Sequence, residues 1–201
     1  FMQTDKANEI NVIVPRRSFF HLNIAEIWRY RDLLTLFIRR EIVVKYKQTI
    51  LGPAWYFIQP FLQTVMFTIV FGNIAGIPTD GVPKILFYLA GVTAWNYFAE
   101  SLKLTSDTFI QNFQLFKKIY FPRAVMPIAI VMSNILKFVI QLLLFLGFYF
   151  YFIIQGADIH PNMTLFLLPI YVFMTAGLSL GFGLVISAMT TKYRDLKFLV
   201  Q

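Results

Sequence analysis

Few residues in this chain have the types and spacing that covalent chemistry needs. There is no cysteine, which excludes thiolate nucleophiles, disulfides and Cys-ligated metals. The two histidines, His21 and His160, stand far apart and form no common metal site. No G-x-x-x-x-G-K-[ST] phosphate loop is present, so the chain is not expected to bind or hydrolyse ATP itself. Glu100, Lys103 and Lys137 are the ionisable residues that fall within or near long apolar runs. Charge there is costly, so each must pair, line a wet cavity or snorkel. Glu100 and Lys137 come to similar depth within their runs, which leaves an ion pair between two helices and snorkelling to the surface as the two readings. An enzyme would need convergent histidines or carboxylates inside the runs, and Glu100 alone does not supply them. The remaining chemistry is that of binding, charge and motion.

One short wet stretch collects most of that chemistry: Asn112-Phe113-Gln114-Leu115-Phe116-Lys117-Lys118-Ile119-Tyr120-Phe121-Pro122-Arg123. Its apolar residues are too many for a free loop, and its cations keep it out of a bilayer. Two readings fit. One is a short amphipathic helix that docks into a groove on a soluble partner, the other a helix resting on the lipid surface. Phe116 stands at its middle and is the natural docking residue under the first reading.

The elements that must carry this stretch follow from composition. The 201 residues are 58% hydrophobic and 14% charged, against about 45–50% and about 25% in soluble domains. The apolar residues come in blocks near the length of about 20 residues that a bilayer needs. The fold class is therefore an all-α polytopic membrane protein. Residues 1–25 read as a polar N-terminal segment of loop or strand. Residues 26–50 read as an amphipathic helix. With about 100° of rotation per residue, Ile27, Tyr30, Leu33, Leu34, Phe37 and Ile38 share an arc of about 140°, opposite Arg29, Asp32, Arg39 and Arg40. That pattern suits a helix in the lipid interface, or else the surface helix of a small soluble domain. A transmembrane domain, 51–201, follows, with spans at about 53–71, 85–106, 133–154 and 164–190. Pro60 should kink the first span and need covering by neighbouring helices. The third apolar run starts at about 125 and is longer than one crossing, so its first part is expected to lie oblique. Gly177 and Gly181, four apart, could allow close helix approach in the fourth.

Basic residues set the orientation. Fifteen Lys and Arg fall before Gly52, in the 107–124 loop and after the fourth span, whereas Lys84 is the one on the two opposite loops. By the positive-inside rule the N-terminus, the 107–124 loop and the end of the chain are expected in the cytoplasm. The net charge of +8 is thus read as topology and attraction to anionic lipid, with no nucleic acid partner.

Three separated motifs carry a resemblance. Lys45-Tyr46-Lys47-Gln48-Thr49-Ile50-Leu51-Gly52-Pro53-Ala54-Trp55 with Gln59-Pro60, the stretch Lys117–Arg123 with Pro127, and Tyr193-Arg194-Asp195-Leu196 appear in order. Together they resemble the permeases of ABC-2 type polysaccharide exporters, which move O-antigen, teichoic acid or capsule. The resemblance covers residues 28–201. It implies six spans in the full fold, of which four are present here. It also implies a homodimer in the bacterial inner membrane, paired with two copies of a nucleotide-binding ATPase subunit that carries the ATP and magnesium. The substrate implied is a lipid-linked glycan. An ABC-2 exporter of drugs or other lipids is the alternative, and a membrane-embedded enzyme ranks below both. The 107–124 loop then becomes a coupling loop, with Phe113, Leu115, Phe116, Lys117, Lys118, Tyr120, Phe121, Pro122 and Arg123 as its candidate contacts. Tyr193, Arg194 and Asp195 are a second candidate contact, or ordinary flanking charge. Arg39, Arg40, Lys45 and Lys47 are candidates for steering an anionic lipid head group, or serve topology alone. Because sugars stack on aromatic faces, Tyr56, Trp95 and Tyr97 are candidate channel residues.

Overall fold

The computed structural model describes residues 24–46, 52–157, 159 and 163–192. Among them every regular element is helical. Two helices at one end, α1 (Ile24–Arg29) and α2 (Arg31–Tyr46), meet at Tyr30. The periodic pattern predicts one helix here, and a turn at Tyr30 divides it. Gly52, at φ +42°, is in the left-handed region open to glycine, and a single turn at Gly52–Ala54 leads into α3 (Trp55–Phe67). Pro60 lies inside α3 and is fully buried. The helix then widens into a π-helical segment, Thr68–Ile74. Lys84 caps that end of the bundle. Its ammonium donates to the Gly72 carbonyl at 2.6 Å and to Asn73 Oδ1 at 3.1 Å, where a helix leaves carbonyls unsatisfied and its dipole is negative.

Next come α4 (Lys84–Ser106), the short α5 (Thr108–Gln111) and α6 (Phe113–Lys118), the long α7 (Val125–Ile154), a turn at Met163–Leu167, and α8 (Leu168–Lys192). Among the described residues three segments are long and apolar enough to cross a membrane: Trp55–Ile74, Val125–Ile154 and Leu165–Thr190. The second expected span, α4, has the length but is less apolar. The reason is its position. It packs against α3, α7 and α8 at the centre of the bundle, and Thr93, Tyr97, Ser101 and Thr105 are buried there. Helices, not lipid, meet its polar side. The oblique segment expected before 133 is instead part of one unbroken α7 of 30 residues, about 45 Å long at 1.5 Å per residue. Its first turns pack on α2, which accounts for the excess over one crossing.

The tight helix contact also differs from expectation. Gly177 and Gly181 have open space around them. The close approach is at Gly183, where an added Cβ would come within 2.6 Å of Thr105. Ser179, Gly183 and Ser187, spaced by four, are buried along α8, so the small-xxx-small pattern is present two residues out of the expected register. Gly183→Val should destabilise the α4–α8 pair by about 1–3 kcal/mol, read as a lower melting temperature in detergent. Thr105→Gly should restore part of the loss, because it removes the atoms that clash.

Candidate functional site

The loop between α4 and α7 divides into an inner and an outer face. α6 is one and a half turns long, and Ile119 is extended at φ −130°, ψ 132°, so the chain bends back toward α7 within a few residues. Phe116 stacks on Phe121 with ring centres 5.2 Å apart and meets Phe109 edge-on at 5.4 Å. Phe121 is 5% exposed and lies 5.5 Å from Phe37 of α2. Val125, Met126 and Ala129 of α7 complete this core, and Tyr30, Leu33, Leu34, Ile38 and Leu115 pack on it. The apolar arc of α2, expected to meet lipid, therefore meets the loop and the start of α7. A hydrogen bond adds to the junction: Arg40 Nη2 donates to Asn112 Oδ1 at 2.9 Å, while Asn112 Nδ2 donates to the Thr108 carbonyl.

The outer face holds the other residues. Tyr120 is 93% exposed, Phe113 52% and Ile119 50%. Lys117, Lys118 and Arg123 are exposed beside them, and the Lys117 ammonium sits 4.4 Å from the Phe113 ring centre. Pro122 is half-buried between the faces, its carbonyl accepting from Val125 N at 3.0 Å. Leu115, Phe116 and Phe121 are thus anchors, and Phe113, Ile119 and Tyr120 form the free apolar face. Sequence alone shows six apolar residues in the loop without showing that α2 covers one side of it.

Of the basic candidates on α2, Arg39 is exposed, whereas Arg40 is occupied by Asn112 and by Glu41 Oε1 at 3.3 Å. Of Lys45 only the backbone is described, and Lys47, Tyr193, Arg194 and Asp195 lie outside the described residues.

Further along, polar groups join α3, α4 and α7. Lys137 of α7 forms an ion pair with Glu100 of α4. One turn away on α7, Asn134 Nδ2 donates to Ser101 Oγ at 3.1 Å. Asn96 Nδ2 donates to Gln63 Oε1 at 3.3 Å, joining α4 to α3. The Lys137 ammonium also lies 5.3 Å from the ring centre of Tyr56. Lys103 stays outside this layer on the exposed side of α4. Asn134, Ser101 and Gln63 carry no role in the sequence reading. The signal for them was there, as polar residues spaced by three or four within apolar runs.

The aromatic candidates take three different settings. Tyr56 belongs to the polar layer. Trp95 is 62% exposed and lines a 560 Å³ cleft with Phe67, Tyr88, Phe145 and Tyr149. Tyr97 is buried, its ring 5.4 Å from Phe138, beside an adjoining 410 Å³ cleft that also touches Leu142 and Tyr171 and shares Ala90 and Phe145 with the first.

Residues 32–201 match the sequence profile of the ABC-2 type transporter. The chain belongs to that family. Its ABC-2 segment is also similar to curated proteins. The O-antigen export system permease protein RfbA of Myxococcus xanthus is 25% identical over 180 residues, 88% of this chain and 65% of that protein. An O-antigen export system permease protein RfbA of Klebsiella pneumoniae is 26% identical over 167 residues, 83% of this chain and 62% of that protein. The chain thus spans a little under two thirds of the length of these relatives. An ABC-2 chain with membrane-length helices is a multi-pass membrane protein, and the elbow of α2, α6 and α7 stands at one end of its bundle.

Proposed function

We propose that this chain is the permease part of an ATP-driven ABC exporter that moves a lipid-linked polysaccharide out of the cytoplasm. The observation that carries the reading is the outer face of the loop. Exposed Phe113, Ile119 and Tyr120 are ringed by Lys117, Lys118 and Arg123, on a loop bolted to α2 and α7. Such a face suits a groove on a separate ATPase subunit. The names of the O-antigen permeases support the substrate class. In this reading two copies of the chain pair with two ATPase subunits holding ATP and magnesium. The loop end of the bundle faces the cytoplasm of a bacterial inner membrane. Arg39, Lys45 and Lys47 remain candidates for meeting an anionic head group, and Arg40 serves the loop instead.

The test is co-purification with an ATPase subunit, followed by export assays in liposomes. Tyr120→Asp should lower export and stimulated ATP hydrolysis about tenfold, a coupling loss within the usual range, with the melting temperature unchanged. Full export by that variant would refute the docking face.

A further inference from the structure

Four charged side chains of alternating sign run from the loop into the bundle. Arg40 holds Asn112 of the loop and the Glu41 carboxylate beside it. Glu41 and Lys137 line one small cleft with Ile42, Tyr56, Ser133 and Leu136. Its volume is about 10 Å³, the room that one water molecule takes. Lys137 also holds Glu100. Lys137 of α7 therefore pairs with a carboxylate on α4 and shares a cleft with Glu41 of α2. Glu100 belongs to α4, which runs into the loop. Glu41 belongs to α2, which is fixed to the loop by Phe37–Phe121 and Arg40–Asn112.

We infer that Lys137 is a positioning residue that exchanges carboxylates, Glu100 in this state and Glu41 when α2 moves with the loop. A lysine ammonium is a compact charge on a flexible four-carbon stem, so it can change partner by rotation of its own side chain. None of the side chains is fully exposed: Lys137 and Glu100 are 17% and 28% accessible, and Glu41 is 21%. Screening by water is therefore reduced, and a change of partner alters the energy of both contacts. The consequence is mechanical. Displacement of the elbow at the surface removes the ion pair that ties α4 to α7 inside the membrane. Asn134, one turn from Lys137, is bonded to Ser101 next to Glu100, so a second polar contact joins α4 to α7 beside the pair. The inference rests on the proposed function, because it takes the loop as the place where an ATPase pushes.

The experiment uses the whole permease with its ATPase subunit in liposomes. These 201 residues hold no cysteine, so Ile42→Cys with Leu136→Cys gives a reporter pair across the cleft once any further cysteines are replaced by serine. Cross-linking with a short thiol reagent should change about tenfold between the nucleotide-free state and a non-hydrolysable ATP analogue. Glu41→Gln should abolish that change and lower export about tenfold while ATP hydrolysis continues, and Glu41→Asp should retain coupling. Cross-linking that ignores nucleotide, or full export by Glu41→Gln, would overturn the exchange. If no ATPase subunit binds or responds to the permease, the functional reading fails instead, and the two failures are told apart.

Discussion

Phe121→Ala should free α2 from the loop at a cost of about 3–5 kcal/mol, the usual range for removing a buried phenylalanine. Phe121 is the shared wall of the elbow. It touches Phe37 on one side and Phe116 on the other, and it packs against Val125 and Met126. The loss should appear locally. Amide protection over 31–46 should fall by about two to three powers of ten, since about 1.4 kcal/mol is tenfold. Protection in α4 and α8, which pack on each other away from this cluster, should be kept. Phe37→Ala should repeat the effect, and the double variant should lose less than the sum, because both changes remove one contact. Additive losses would mean that the two rings act separately. Tyr120→Ala is the control: with its ring in solvent, it should leave protection unchanged.

How far the sequence shows this depends on the kind of contact. Membrane helices are legible because backbone groups in lipid must bond internally, which imposes long apolar runs. The loop is legible because it breaks those runs with charge. Which loop residue points outward is not legible, because Phe113, Phe116, Tyr120 and Phe121 have the same chemistry. Their division is made by α2, some eighty residues earlier in the chain. The arc of Tyr30, Leu33, Leu34 and Phe37 shows that α2 has an apolar side, but lipid and a protein core make the same demand on it. The same degeneracy explains Gly177 and Gly181. Small residues recur throughout α8, and the rotation of the helix against Thr105 selects Ser179, Gly183 and Ser187. Polar pairs were more readable. Glu100 and Lys137 are costly alone in apolar runs, so each narrows the choice of partner for the other.

That pair supports a sharp expectation. Lys137→Met should lower the stability of the chain by about 3 kcal/mol, because it breaks the Lys137–Glu100 ion pair between α4 and α7 from one side. Glu100→Met should do the same for the ammonium, with a smaller loss where the longer side chain reaches the surface. The double variant should recover most of the melting temperature in detergent, since replacing both partners by apolar groups of similar size is often neutral or stabilising. A double variant as unstable as the singles would show that the pair matters for more than its charges, for instance through the Tyr56 ring beside it. If stability were all that the pair provides, the double variant would also export normally. Under the proposed function, with Lys137 exchanging between Glu100 and Glu41, it should instead be stable, retain ATP hydrolysis by the proposed ATPase subunit, and export poorly. A stable double variant that exports normally would leave the ion pair as a packing device and remove the coupling role.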